Sequence, residues 1–250
     1  MLYLVIVVFE PDDITELENR VSKLSSFFSV ILFLNSDVEF KNLHSVKIIK
    51  NDSNLGTCAL ILKLAQILKP NTGSVLFFDQ DTIFDFQKLH AIREKILSSD
   101  WLFFSHYSDF KRRFLSRIFK VPLYQFSGSC FKLQFILDNA ICFSNLCFLD
   151  YCDWQVFWNL KRSGHDCHEE KKFIIKHTFG VKKKSIFNIF NHSVSRTFFQ
   201  ASNTIQLLRS LSTPFSVKIY LLLRLVFLIL FIPFMDNSLL RYKHIKRALC

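Results

Sequence analysis

Asp79 and Asp81 stand two residues apart, separated by Gln80 and preceded by the apolar run Val75-Leu76-Phe77-Phe78. That run reads as a buried strand, and two carboxylates just past its end cannot both turn to the core. At the carboxyl end of a strand such a pair can hold a hard divalent cation, Mg²⁺ or Mn²⁺, against a diphosphate. An acidic turn capping the next helix looks the same, with Thr82 and Asp85 as a capping box. A second pair, Asp150 and Asp153, lies three residues apart at the start of a helix predicted over 150–163. Near a helix N-terminus the dipole favours the ionised carboxylate, and a base that takes a proton from a hydroxyl must be ionised. Asp153 fits that role. Capping by Asp150, with Asp153 at the surface, explains the same spacing. His177 follows the strand-like Phe173-Ile174-Ile175 and precedes Gly180. It either completes a metal site with Asp81 or is structural. Ser127-Gly128-Ser129 offers backbone approach to a ligand, or an ordinary turn. His165, Cys167 and His168 are close in sequence but match no common zinc spacing.

The elements that must position these residues alternate between short apolar runs and helical periodicity. Leu2–Phe9 is rich in β-branched residues, ends at Pro11, and predicts a core strand rather than a signal peptide. A helix is predicted over 13–26, with Ile14, Leu17, Val21 and Leu24 at helical spacing. Strands follow at 30–34, ending in Asn35-Ser36, and at 46–49. Asn54-Leu55-Gly56 turns into a helix over 57–68. A strand at 74–78 runs into the acidic turn, then a helix to about residue 97 and a strand at 101–105. This order predicts an α/β sheet of nucleotide-binding type, in which ligands sit at the carboxyl ends of the strands. Asn35, Asn54 and the acidic turn all fall there. Gly164 ends the helix of 150–163, and a further helix covers 195–211.

Charge and hydropathy divide the 250 residues unevenly. Residues 1–110 carry a net charge of −4 and residues 111–250 one of +15, giving +11 overall. The basic half includes Lys111, Arg112, Arg113, Arg117 and Lys120, and Lys182-Lys183-Lys184. It suggests a polyanionic partner, but no nucleic-acid motif accompanies it, so no nucleic-acid partner is expected. Half of the residues are hydrophobic, which excludes a disordered chain. The seven cysteines include no CxxC and several lie in apolar runs, so they read as reduced, buried thiols of a cytosolic protein. From Val217 to Met235 nearly everything is apolar, after a predicted helix start at Thr213-Pro214. Lys218 and Arg224 interrupt the run, and Arg241, Lys243, Lys246 and Arg247 follow it. The uninterrupted part is short for a spanning helix. The combination suits a helix lying on an anionic membrane surface, or a buried core helix.

The order of these pieces resembles the family 2 glycosyltransferases, in particular the rhamnosyltransferase-like branch. The resemblance runs from about residue 2 to 210. It rests on VVFEP at 7–11, Asn35-Ser36, Asn54-Leu55-Gly56, FFDQDT at 77–82, FSGSCF at 126–131, FLDYCDW at 148–154, His177-Thr178-Phe179-Gly180, and SRTFFQASN at 195–203. The DQD form is the closest match. The resemblance implies a GT-A fold, a Rossmann-like mixed sheet flanked by helices, over residues 1–211. Residues 212–250 would then be a membrane-associating helical extension. It implies an inverting transfer of a sugar, with rhamnose from dTDP-rhamnose as the branch's suggestion, from a nucleotide-sugar donor to a lipid-linked oligosaccharide in bacterial surface-polysaccharide assembly. The chain would act in the cytoplasm, on the inner face of the cell membrane. Carried over, Asp79 lies by the ribose and metal, and Asp81 and His177 bind Mg²⁺ or Mn²⁺. Asp153 is the base, with Asp150 beside it. Pro11, Asn35, Asn54, Gly56 and Gly128 border the nucleotide, and Arg196 reaches the diphosphate. The chain departs from the family pattern at Leu34, Leu62, Leu64, Gln155, Val156 and Ser202. The departures at Leu34 and Ser202 support a second reading, a catalytically decayed scaffold on the same fold.

Overall fold

The computed structural model describes residues 1–41, 43, 46–51, 54–68, 72–91, 93–106, 117–119, 125–144, 147–166, 168–177 and 194–249. The basic residues 111–113, 120 and 182–184 and the segment 178–180 lie outside them. The chain is an α/β protein built on a mixed sheet flanked by helices. Its strands are β1 (Leu2–Val8), β2 (Ser29–Leu34), β3 (Lys47–Lys50), β4 (Ser74–Asp79), β5 (Thr82–Ile83), β6 (Trp101–His106), β7 (Ser129–Lys132) and β8 (His168–His177). Among the described residues they pair in the order β3-β2-β1-β4-β7-β6-β8-β5. β1, β2, β3 and β4 run parallel. β7 is antiparallel to β4 and β6, and β8 is parallel to β6. The carboxyl ends of β4, β6 and β8 therefore share one edge with those of β1, β2 and β3.

Side-chain alternation along β1 and β2 builds two cores, one on each face of the sheet. Leu2, Leu4, Ile6 and Val8 join Leu17, Val21 and Leu24 of α1 (Ile14–Ser25) on one face. Val5, Val7, Ile31, Phe33, Val75 and Phe77 meet Leu60, Ile61 and Leu64 of α2 (Gly56–Leu68) on the other. Because both faces are covered, the strands read as continuous apolar runs rather than alternating ones.

The second core continues into α5 (Leu133–Asp138), α6 (Cys152–Arg162), α7 (Val194–Arg209) and α8 (Phe215–Phe231). Val217 and Leu221 of α8 belong to this core, so the C-terminal extension packs onto the sheet domain. α9 (Ser238–Leu249) packs on α7.

The structure corrects three local expectations. Thr82 forms no capping box. It lies in β5, and Asp85 alone accepts from the Gln87 and Lys88 amides, ahead of α3 (Phe86–Ala91) and α4 (Arg93–Ser98). The helix predicted from residue 150 begins at Cys152, leaving Asp150 outside it. Pro214 is the N-cap of α8 rather than its first helical residue.

Candidate functional site

The site grows from the carboxyl end of β4, where Asp79 pairs in register with Val7 of β1. The Asp79-Gln80-Asp81 turn is held from three sides. The Phe9 amide donates to Gln80 Oε1 at 2.7 Å, and Gln80 Nε2 donates to the Phe9 carbonyl at 2.9 Å. Gln80 thus ties the acidic turn to the chain leaving β1. Ser127 Oγ accepts from the Asp79 amide at 3.2 Å and shares a 2.7 Å hydrogen bond with Thr82 Oγ1. Arg20 of α1 donates to the carbonyls of Gln80 and Thr82. Burial lowers the pKa of this guanidinium, and Glu16 and Asp81 act to raise it, so a cation lies within the field of Asp81. Replacing Gln80 by Ala removes both bonds to Phe9. A stability loss of about 1 kcal/mol is expected, since the pair is partly exposed. A urea midpoint unchanged within error would refute the clamp.

Gly128 follows Ser127 with φ +85°, and its amide donates to the Phe77 carbonyl at 2.7 Å. A left-handed backbone at that point favours glycine. Beyond the turn, β5 pairs antiparallel with β8, placing the backbone of Thr82 opposite that of His177. The residue after Asp81 is therefore bonded to the strand end that carries His177, whose side chain lies outside the described atoms.

The nucleotide-bordering candidates line the same edge. Asn35 is buried, and its Oδ1 accepts from Asn51 Nδ2 at 3.0 Å, while Lys63 Nζ donates to Asn51 Oδ1 at 2.7 Å. This network locks the ends of β2 and β3 to α2. Asn54 Oδ1 accepts from the Gly56 amide at 2.9 Å, opening α2. Pro11 stands in the loop between β1 and the N-cap of α1, Asp13.

Gly56, at φ +70°, meets the Phe148 ring, which a Cβ there would approach to 3.1 Å. This contact brings the 148–153 segment to the same edge as the acidic turn. A cavity of about 500 Å³ opens beside it, lined in part by Gly56, Ala59, Lys63, Cys147 and Phe148.

The 148–153 segment is strained. Leu149 and Tyr151 both adopt left-handed backbone, φ 64° and 66°, on either side of Asp150. Non-glycine residues held there cost about 1–2 kcal/mol each, and such strain persists only where the surroundings impose it. α7 imposes it. Arg196 Nε and Nη2 grip the Asp150 carboxylate, with Nη2 2.9 Å from Oδ1. One face of the same helix, seven residues on, presents Asn203. Its Nδ2 donates to the carbonyls of Phe148 at 2.7 Å and Asp150 at 2.9 Å. Tyr151 is buried, and the Arg224 guanidinium of α8 lies 5.3 Å from its ring centroid. Burial raises the Tyr151 pKa, while Tyr151 raises that of Arg224.

Asp153 sits in the first turn of α6, where its Oδ1 accepts from the Trp154 amide at 2.9 Å. The structure thus separates the two aspartates. Asp150 carries the segment's shape through Arg196, and Asp153 stands on the helix end.

No protein-family model matches the chain, and no curated protein is significantly similar to it. The site must be judged on its own chemistry. Asp79 and Asp81 are hard oxygen donors of the kind Mg²⁺ takes in pairs, with substrate phosphates as further ligands. That donor set fits a divalent cation. Among the described residues no group of three His, Cys, Asp or Glu comes together that could hold a metal. Cys147 is no candidate nucleophile, because burial pushes its thiol up to about 12.

Sequence reasoning named Gln80, Ser127 and Asn203 only as members of motifs. Their donors and acceptors give each a holding role, which no local pattern reveals. Arg20 carries no sequence signal of its own, Tyr151 stands in a motif only as a spacer, and Arg224 stands out only as a charge in an apolar run. The departures at Gln155, Val156 and Leu64 are filled structurally. Gln155 accepts from the Cys147 amide, and Val156 and Leu64 are fully buried.

Proposed function

We propose that this chain is an inverting glycosyltransferase of GT-A type, moving a sugar from a nucleoside-diphosphate donor to a lipid-linked oligosaccharide on the cytoplasmic side of a bacterial membrane. The observation that carries this reading is the 148–153 segment. A strained loop is braced by Arg196 and Asn203 so that Asp153 enters a helix end at the sheet edge that also bears Asp79 and Asp81. The mixed sheet, with β7 reversed among parallel strands, is in keeping with the fold class.

In this reading Asp153 accepts the proton of the acceptor hydroxyl as that oxygen bonds to the anomeric carbon. The bond from that carbon to the donor's phosphate oxygen breaks on the opposite face, and the nucleoside diphosphate leaves with the electron pair. Asp79 and Asp81 would hold Mg²⁺ or Mn²⁺, which neutralises charge on the diphosphate. Gln80, Ser127 and Arg20 keep the two carboxylates in place before the donor arrives. Asn35, Asn54 and Pro11 border the nucleotide.

Binding to the folded state raises apparent stability by mass action. A panel of nucleotide sugars, dTDP-rhamnose among them, is expected to contain one that raises the melting temperature with Mg²⁺ or Mn²⁺. Asp81→Ala is expected to abolish that shift. No shift with any donor, from folded protein, would replace the transferase by the decayed scaffold.

A further inference from the structure

We infer that α8 and α9 form a surface that docks in the plane of an anionic lipid bilayer, rather than a segment that crosses it. The stretch Phe215–Phe234 is long and apolar enough to span by composition, yet only 22% of its most apolar window is buried inside the protein. A core helix would be mostly buried. The burial it has is confined to one face and runs along the helix. Val217 and Leu221 enter the main core, while Leu225 and Ile232 pack with Ala201 of α7. Tyr220 lies against Trp154, and Arg224 against Tyr151. Crossing a bilayer would strip all of these contacts.

The opposite face is an unbroken apolar strip. Phe215 is 79% exposed, Phe227 60% and Leu230 63%, with Ile219, Leu222 and Val226 exposed between them. The three- and four-residue steps of Phe215, Ile219, Leu222, Val226 and Leu230 keep these on one side of the helix, with Phe227 at its border. A contiguous exposed apolar strip of this kind marks an interaction surface.

Charge selects the partner. The Tyr242 hydroxyl donates to the Ile229 carbonyl, so the side of α9 that carries Leu239, Tyr242 and Lys246 borders the strip. Lys243, Lys246 and Arg247 are exposed on that helix, and residues 111–250 carry +15 overall. An apolar face bordered by lysine and arginine matches the chemistry of acyl chains under anionic headgroups. The buried face of the same helix supports Tyr151, so docking would set the Asp153 edge at a fixed distance from the headgroups. The docking surface stands on its own, whether or not the chain transfers a sugar.

The test is flotation of the full chain with vesicles of phosphatidylcholine alone, or of phosphatidylcholine mixed with an equal part of phosphatidylglycerol. Binding is expected to be roughly tenfold stronger to the anionic vesicles and to fall as salt is raised. The double variant Phe227→Asp, Leu230→Asp changes exposed residues only. It is expected to keep the wild-type circular dichroism and to lose flotation. Wild type that does not float, or a variant that floats equally, would overturn the inference. So would a wild-type dimer that the variant turns into monomer without any vesicle binding, because the strip would then face a second copy. Wild type retained on membranes through an alkaline carbonate wash would overturn the in-plane orientation.

Discussion

Asp153→Asn is expected to leave the fold unchanged and to lower sugar transfer by roughly 10²–10⁴-fold, the range that a general base contributes. The substitution is nearly isosteric. The side-chain oxygen that accepts from the Trp154 amide remains, so the start of α6 is retained. What disappears is the ionised oxygen that, in the proposed mechanism, takes the acceptor's proton. Donor binding, which the proposed function assigns to the edge at Asp79 and Asp81, should change little. The expected signature is therefore a fall in kcat with an unaltered melting shift by the donor. Equal transfer rates for wild type and variant would remove Asp153 from the mechanism. The matched change Asp150→Asn should behave differently. It weakens the Arg196 pairing, so it acts on the segment's position and reduces stability as well as rate.

Asn203→Ala is expected to destabilise the protein by about 1–3 kcal/mol, since the Asp150 carbonyl loses its Asn203 donor while the Phe148 carbonyl keeps only the Asp150 amide. Asn203 is buried, and its Nδ2 serves the carbonyls of both Phe148 and Asp150. These bonds hold the chain on both sides of Leu149, the first left-handed residue. Without them the strain at Leu149 and Tyr151 is free to relax, and Asp150 and Asp153 shift together. Transfer should fall along with stability, unlike the pattern for Asp153→Asn. Urea denaturation and a rate measured well below the midpoint separate the two effects. A loss under about 0.5 kcal/mol, the range of an ordinary surface change, would show that the segment holds its shape without α7.

The strand runs were legible because parallel strands covered on both faces are apolar along their whole length, as in β1 and β4. The acidic turn was legible because polar residues right after such a run must lie at a sheet edge. Helix periodicity located α1 and α2 to within a residue or two. The start of α6 was misplaced because Asp150 followed by Asp153 imitates a capping pattern. Only the contact with α7 shows that Asp150 belongs to a left-handed loop instead. The same holds for Thr82, whose hydroxyl is taken by Ser127 across 45 residues. Gln80 reads as a spacer in the sequence, yet its amide pairs with the backbone of Phe9, 71 residues away.

Local patterns determined five strands of the sheet, the two acidic pairs and an apolar, basic C-terminal region, while β5, β7 and the full length of β8 emerged only from strand pairing. They did so because burial periodicity and charge spacing are properties of neighbouring residues. Tertiary structure decided which aspartate braces the loop and which one stands on the helix end. It also decided which face of α8 is covered. Those outcomes depend on partners such as Arg196, Asn203 and Arg224, which are distant in sequence and are brought close only when the helices pack on the sheet.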